Sequence, residues 1–210
     1  MDSVYDRRGI IDTGAFEANL RKRGIVLKVF DTKEEAASYL TQAIKGKTVG
    51  FGGSMTLEEM GLYEKLKPEN TLYWHWRQEM TGDEAKAKAY TADVYITSLN
   101  GVAETGELVN IDGSGNRVAA TLTKHECVYF VVGENKMAPD LHSAIHRARN
   151  VASPLNAQRL HRKTPCAVKA DRCYDCKSPE RICCTLNIIW EKPMQVERCE
   201  LILIRETLGY

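Results

Sequence analysis

The sequence predicts an α/β protein, a mostly parallel sheet flanked by helices, with a small cysteine-rich segment near its end. Three observations carry this. Short β-branched runs alternate with helical stretches of ten or so residues, the pattern of strands joined by helical crossovers. Two glycine-rich segments follow directly on such runs, where open parallel sheets gather their ligands. Of the 210 residues, 43% are hydrophobic, enough for a core, and 210 residues suit one domain, here taken as 1–210 with the cysteine-rich part at 164–185.

The elements follow in order. Phe16 and Leu20, ahead of Arg21–Arg23, suggest a short amphipathic helix, and 25–30 a first strand. Asp31 and Thr32 cap a helix over 32–44 with Ala36, Leu40 and Ala43 as its apolar stripe. A strand at 48–51 runs into Gly52-Gly53-Ser54, and a helix over 57–66 ends before Pro68. A strand at 70–76, a helix at 78–90 and a strand at 93–99 come next. Residues 100–117 are expected to form a long polar loop with four glycines and no obvious two-residue hairpin turn. Strands are expected at 118–122 and 128–132, then a helix at 140–151 with Pro139 at its first position. After Pro154 the cysteine-rich segment begins, and strands at 186–190 and 200–204 close the chain.

Charge excludes several function classes. Charged residues make up 27% of the chain but cancel to a net charge of +1, without the basic field that nucleic-acid or membrane-surface binding needs. No apolar run approaches the ~20 residues of a membrane span. The opening Met1–Arg8 lacks the apolar stretch of a secretory signal, so a cytoplasmic location is the expectation.

The first glycine-rich segment, Gly50 to Thr56, allows a tight turn and close backbone approach, with the N–H groups of the next helix to receive an anion. Gly52, Gly53, Ser54 and Thr56 are the candidate ligand-binding residues there, although Ser54 or Thr56 equally serves as a plain helix cap. It lacks the Walker lysine and the dinucleotide spacing, so ATP and NAD are not indicated. In the second segment Asn100, Gly106, Gly113, Gly115, Asn116 and Arg117 are candidate binding residues, with Arg117 as the clamp on an anionic group. Glu104 or Asp112 is the candidate general base or nucleophile, against the plainer reading of Asx turns. Lys136, just past a strand, would project from the carboxyl edge toward the same anion.

Six of the seven cysteines follow residue 165. Cys166, Cys173, Cys176 and Cys183, spaced C-x6-C-x2-C-x6-C, supply four thiols for zinc or a [4Fe–4S] cluster, with Cys184 as a substitute, against the plainer reading of redox-active or merely reduced thiols. An odd, clustered set without a signal peptide does not read as a disulfide framework. His142 and His146 read as surface histidines, His75 between Trp74 and Trp76 as packing or an aromatic wall near the loops, and Cys127 as a buried apolar residue.

Gly52-Gly53-Ser54-Met55-Thr56, Thr97 to Gly101, Gly113 to Arg117, Val131 to Lys136, Ala152 to Ala157 and Leu208-Gly209-Tyr210 together resemble the LUD-domain (lactate utilisation) family, over nearly the whole chain. The resemblance implies a fold akin to the sugar-phosphate isomerase and CoA-transferase-like superfamily. It also implies a part in oxidising L-lactate to pyruvate beside iron–sulfur partner subunits, with a small anionic metabolite as ligand. Residues 103–116 also resemble the nucleotide-exchange-factor-like sugar-phosphate isomerases of that superfamily. The alternative is an isomerase- or CoA-transferase-like enzyme using Glu104 or Asp112.

Overall fold

In the computed structural model, residues 11–77 and 79–210 are described; the opening Met1–Arg8 stretch and Gln78 lie outside them. Helix α1 (Thr13–Lys22) is capped by Asp12, whose carboxylate accepts from the Gly14 and Ala15 N–H groups. Strand β1 (Val26–Phe30) leads to α2 (Lys33–Ala43), which starts on a capping box between Thr32 and Glu35. Strand β2 (Thr48–Phe51) follows. The single helix expected over 57–66 is two five-residue helices, α3 (Met55–Glu59) and α4 (Leu62–Leu66), because Gly61 takes a left-handed conformation between them.

Strand β3 (Thr71–Tyr73), α5 (Gly82–Ala89) and β4 (Val94–Thr97) fall inside their expected bounds. The expected long loop does not exist as such. It is a hairpin of β5 (Gly101–Ala103) and β6 (Leu108–Asp112), turning through Gly106 at φ 103°. Helix α6 (Asn116–Ala120) replaces the strand expected at 118–122. Asp112 explains this: its carboxylate accepts from the Gly115 and Val118 N–H groups at 3.1 and 3.2 Å, starting a turn that the alanines continue.

Strand β7 (His125–Gly133) runs to a short turn at Glu134–Lys136, then β8 (Met137–Ala138). Pro139 precedes the cap instead of opening the helix: Asp140 caps α7 (Leu141–Arg147), accepting from the Ser143 N–H at 2.8 Å. The helical path continues through a π-helical turn (Ala148–Ala152) into α8 (Ser153–Arg159), carrying Pro154 in its first turn. Ser153 closes the wider turn, its N–H and its Oγ both donating to the Ala148 carbonyl. Helix α9 (Pro165–Lys169) and strands β9 (Thr185–Ile189) and β10 (Val196–Ile204) complete the chain, and 170–184 has no regular structure.

Six strands form one parallel sheet in the order β1-β10-β7-β4-β2-β3. Its central strands are buried on both faces, which explains their unbroken apolar runs. One face packs Leu40, Leu57 and Tyr63 from α2, α3 and α4, and the other packs Phe16 and Leu20 from α1. A second sheet, in the order β8-β5-β6-β9, stands beside the first with α7 against it. Gly101 permits that packing, since a Cβ there would meet the Ala144 carbonyl oxygen at 2.5 Å. Among the described residues, no helix is long and apolar enough to cross a membrane.

Candidate functional site

Three neighbouring strands of the large sheet, β2, β4 and β7, end on one edge, and their carboxyl ends deliver Gly52, Ser98 and Lys136. A cavity of about 320 Å³ opens there. Its wall includes Gly53, Ser54, Asn100, Asp112, Arg117 and Lys136, so both glycine-rich segments and the lysine predicted from the sequence meet at one place. Gly113 and Asn116 also line it.

At the floor lies a cluster of hydroxyls around one amine. Lys136 Nζ donates to Thr56 Oγ1 at 2.8 Å and to Ser98 Oγ at 2.9 Å, and the two hydroxyl oxygens are 3.3 Å apart. Lys136 is 3% exposed and Thr56 fully buried. Burial, first of all, and then the guanidinium groups of Arg147 and Arg117 hold the Lys136 amine well below the usual lysine range. Thr56 is held in turn by its own donation to the Leu208 carbonyl at 3.2 Å.

Arg117 enters from α6. Its Nη2 donates to Asn100 Oδ1 at 3.0 Å and to the Ile111 carbonyl at 2.7 Å, and its Nε lies 3.8 Å from Asp112 Oδ2. The sequence casts it as a free clamp, whereas the fold also uses it to tie the β4 end, the β6 end and the α6 start together. Burial lowers its pKa, with Asp112 acting in the opposite sense. Arg147, 5% exposed on α7, donates to the Asn135 and Asn100 carbonyls at 2.8 and 2.5 Å and so clamps the segments behind Lys136.

Not every predicted residue arrives here. Glu104 and Gly106 occupy the hairpin turn against α1, where Asn19 Nδ2 donates to the Glu104 carbonyl at 2.9 Å; neither lines the cavity. Asp112 does line it, but its carboxylate oxygens accept two backbone N–H groups and face Arg117. Gly115 serves the α6 start at φ 78°. Ser54 Oγ accepts from the Leu57 N–H at 3.4 Å as a cap, and α3, five residues long, is too short to offer the helix-terminal anion site expected from the sequence. Gly52 is a packing glycine. A Cβ there would lie 2.3 Å from Thr97 Oγ1 and 3.1 Å from Arg117 Cγ. Gly52→Ala is therefore expected to destabilise the protein by about 1–3 kcal/mol, read as a lower urea midpoint; an unchanged midpoint would refute the close packing.

Of the two readings of the segment around His75, packing and an aromatic wall, each holds for part of it. Trp74 is packing, stacked on Phe51 at 5.0 Å, but His75 and Trp76 line the cavity, and Arg159 lies over the Trp76 ring at 5.0 Å. Burial lowers the His75 pKa. Arg159, Arg162 and Tyr210 complete the wall from α8, the turn after it and the chain end, positions distant in sequence that carry no local signal. His142 is exposed, His146 half-buried and Cys127 buried, its thiol pushed up to about 12 by burial.

Cys166, Cys173, Cys176 and Cys183 line one small cavity with Arg149 and Arg181, whereas Cys184 lines a second one that Cys173 and Cys183 also border. Cys173 Sγ accepts from the Asp175 N–H at 3.3 Å and from Arg149 Nη2 at 3.7 Å. Burial raises the Cys183 pKa, and the Arg181 charge opposes it. The thiols surround a space without converging: among the described residues, no three His, Cys, Asp or Glu side chains are placed to hold a metal ion.

A family model described as the LUD domain matches residues 14–204. The crystal structure of a DUF162-family protein from Deinococcus radiodurans is similar in fold, with a TM-score of 0.55 at 12% identity, covering 91% of this chain and 95% of that one. The crystal structure of eIF2B beta from Chaetomium thermophilum aligns at a TM-score of 0.35 and 16% identity, over 53% of this chain and 44% of that one. A comparison with curated protein sequences finds no match.

Proposed function

The chain belongs to the LUD-domain family, and from that premise we propose that it serves lactate utilisation, as a subunit or accessory of L-lactate oxidation to pyruvate that holds a small anionic metabolite at the β2-β4-β7 edge. The charge of the cavity carries this reading. Arg117, Arg159 and Arg162 line it beside the Lys136 amine, while Asp112, already facing Arg117, is its one acidic wall residue among the described residues. An uncompensated basic lining in a space of about 320 Å³ fits a small carboxylate or phosphate. The alternative, an isomerase- or CoA-transferase-like enzyme, draws no support from Glu104, which stands outside the cavity. Titration calorimetry with L-lactate, pyruvate and a sugar phosphate tests the proposal. Saturable binding of either lactate or pyruvate is expected; silence with both overturns it.

A second reading concerns the thiols, because four of them share one cavity beside two guanidinium groups. We propose that Cys166, Cys173, Cys176 and Cys183 hold a thiophilic centre, either structural zinc or an iron–sulfur cluster. Zinc needs sulfurs at about 2.3 Å. Beside iron–sulfur partner subunits, a cluster would suit electron transfer, and zinc would suit a staple. Metal and acid-labile sulfide analysis on protein purified without oxygen separates them. Near-stoichiometric zinc, or iron with sulfide, is expected, and is lost in a Cys173→Ser, Cys176→Ser variant; metal-free wild-type protein overturns the reading.

A further inference from the structure

Lys136 has surroundings poorly suited to an ammonium ion. It is 3% exposed and makes no ion pair among the described residues, and its two hydrogen-bond partners are neutral hydroxyls. Arg147 and Arg117 act on it with like charge, and only Glu59 acts with the opposite sign. A neutral amine has two N–H groups and one lone pair. Thr56 and Ser98 account for both N–H groups, which leaves the lone pair as the remaining vertex on a residue that lines an anion-suited cavity.

We propose that Lys136 is an imine-forming lysine that captures the carbonyl carbon of a 2-oxo acid. The inference rests on the anion-binding reading of the same cavity. The lone pair of Nζ adds to the carbonyl carbon, a C–N bond forms, and the carbonyl π pair moves to oxygen, which takes a proton from Nζ. The carbinolamine then loses that oxygen as water, with a second proton from Nζ, leaving a C=N bond. Amine and ketone give imine and water, and no oxidant or reductant is consumed. Ser98 Oγ, 2.9 Å from Nζ, is placed to relay these protons.

The ligand class follows from what meets at Ser98. Its hydroxyl binds Lys136, and its carbonyl accepts from Arg117 Nη1 at 3.5 Å. Cation and amine flank a single residue, which suits a ligand whose anionic group and carbonyl are close together. A 2-oxo acid, whose carboxylate is bonded directly to the carbonyl carbon, fits that arrangement. A sugar phosphate, with its charge several bonds away, suits it less well.

Reductive trapping tests this. The full chain is incubated with pyruvate and sodium cyanoborohydride, then mapped by peptide mass spectrometry, with calorimetry of pyruvate binding in parallel. One reduced pyruvate adduct is expected on the peptide carrying Lys136, suppressed by excess L-lactate and absent from Lys136→Arg. Should that variant fail to fold, Ser98→Ala is expected to slow trapping at saturating pyruvate about tenfold or more. Binding of pyruvate without an adduct, or adducts on surface lysines alone, overturns the imine and leaves the anion site standing. Absence of binding by pyruvate and lactate alike overturns both.

Discussion

Arg117→Ala is expected to lower affinity for lactate or pyruvate at least tenfold and to destabilise the protein by about 2–3 kcal/mol. The double effect follows from its double employment. The guanidinium supplies charge to the cavity wall, and it also satisfies Asn100 Oδ1 and the Ile111 carbonyl and faces Asp112. Truncation takes one donor from each of those acceptors and removes the countercharge of a largely buried carboxylate, whose backbone donors remain. Arg117→Lys keeps the charge but not the planar fork, so it is expected to recover part of the affinity and little of the stability. Calorimetric titration and urea unfolding of both variants check this. Unchanged affinity in a folded Arg117→Ala protein would remove the residue from the site.

The opposite sign is expected at Lys136. Lys136→Met removes an amine whose burial is unfavourable and keeps the volume, so the variant is expected to match the wild type or exceed it by about 1 kcal/mol at pH 7, while losing binding. The loss of two donated hydrogen bonds is cushioned because Thr56 and Ser98 already lie within reach of each other at 3.3 Å. The pH dependence carries the sharper test. The amine has an ordinary value of 10.5 and a folded value well below it. Between the two, the unfolded chain holds more protons, so wild-type stability rises with pH. The penalty is complete below the folded value and is gone above about 10.5, so the advantage of methionine is expected to shrink as pH rises from 7 toward 10. An Lys136→Met protein that is several kcal/mol less stable, with no such narrowing, would make Lys136 a charged anchor.

Local signals were readable wherever the chain obeys its neighbours. The strand at 48–51 runs as expected from Thr48 to Phe51 because the large sheet buries it on both faces. The cap at Thr32 was visible because the donor and acceptor lie three residues apart. The departures from expectation at 100–122 have two causes. Val102, Ala103, Leu108 and Val109 are buried by partners in β8, β9 and α7, none of them adjacent in sequence, so a hairpin looked like a loop. The run from Val118 looked β-branched enough for a strand until Asp112, six residues earlier, took its N–H.

By itself the sequence determined the alternating architecture, the two glycine-rich segments, the lysine at the strand edge and the cysteine quartet, since all of these rest on residue type and short-range periodicity. Only the tertiary structure decided which of them work together. It brought Thr56, Ser98 and Lys136, from three separate strand ends, within 3.3 Å of one another, carried Glu104 away on a hairpin, and closed the wall with Arg159 and Tyr210. The physical reason is the parallel sheet. Hydrogen-bonded strand order sets side by side the carboxyl ends of strands far apart in the chain, and no local pattern records which ends those are.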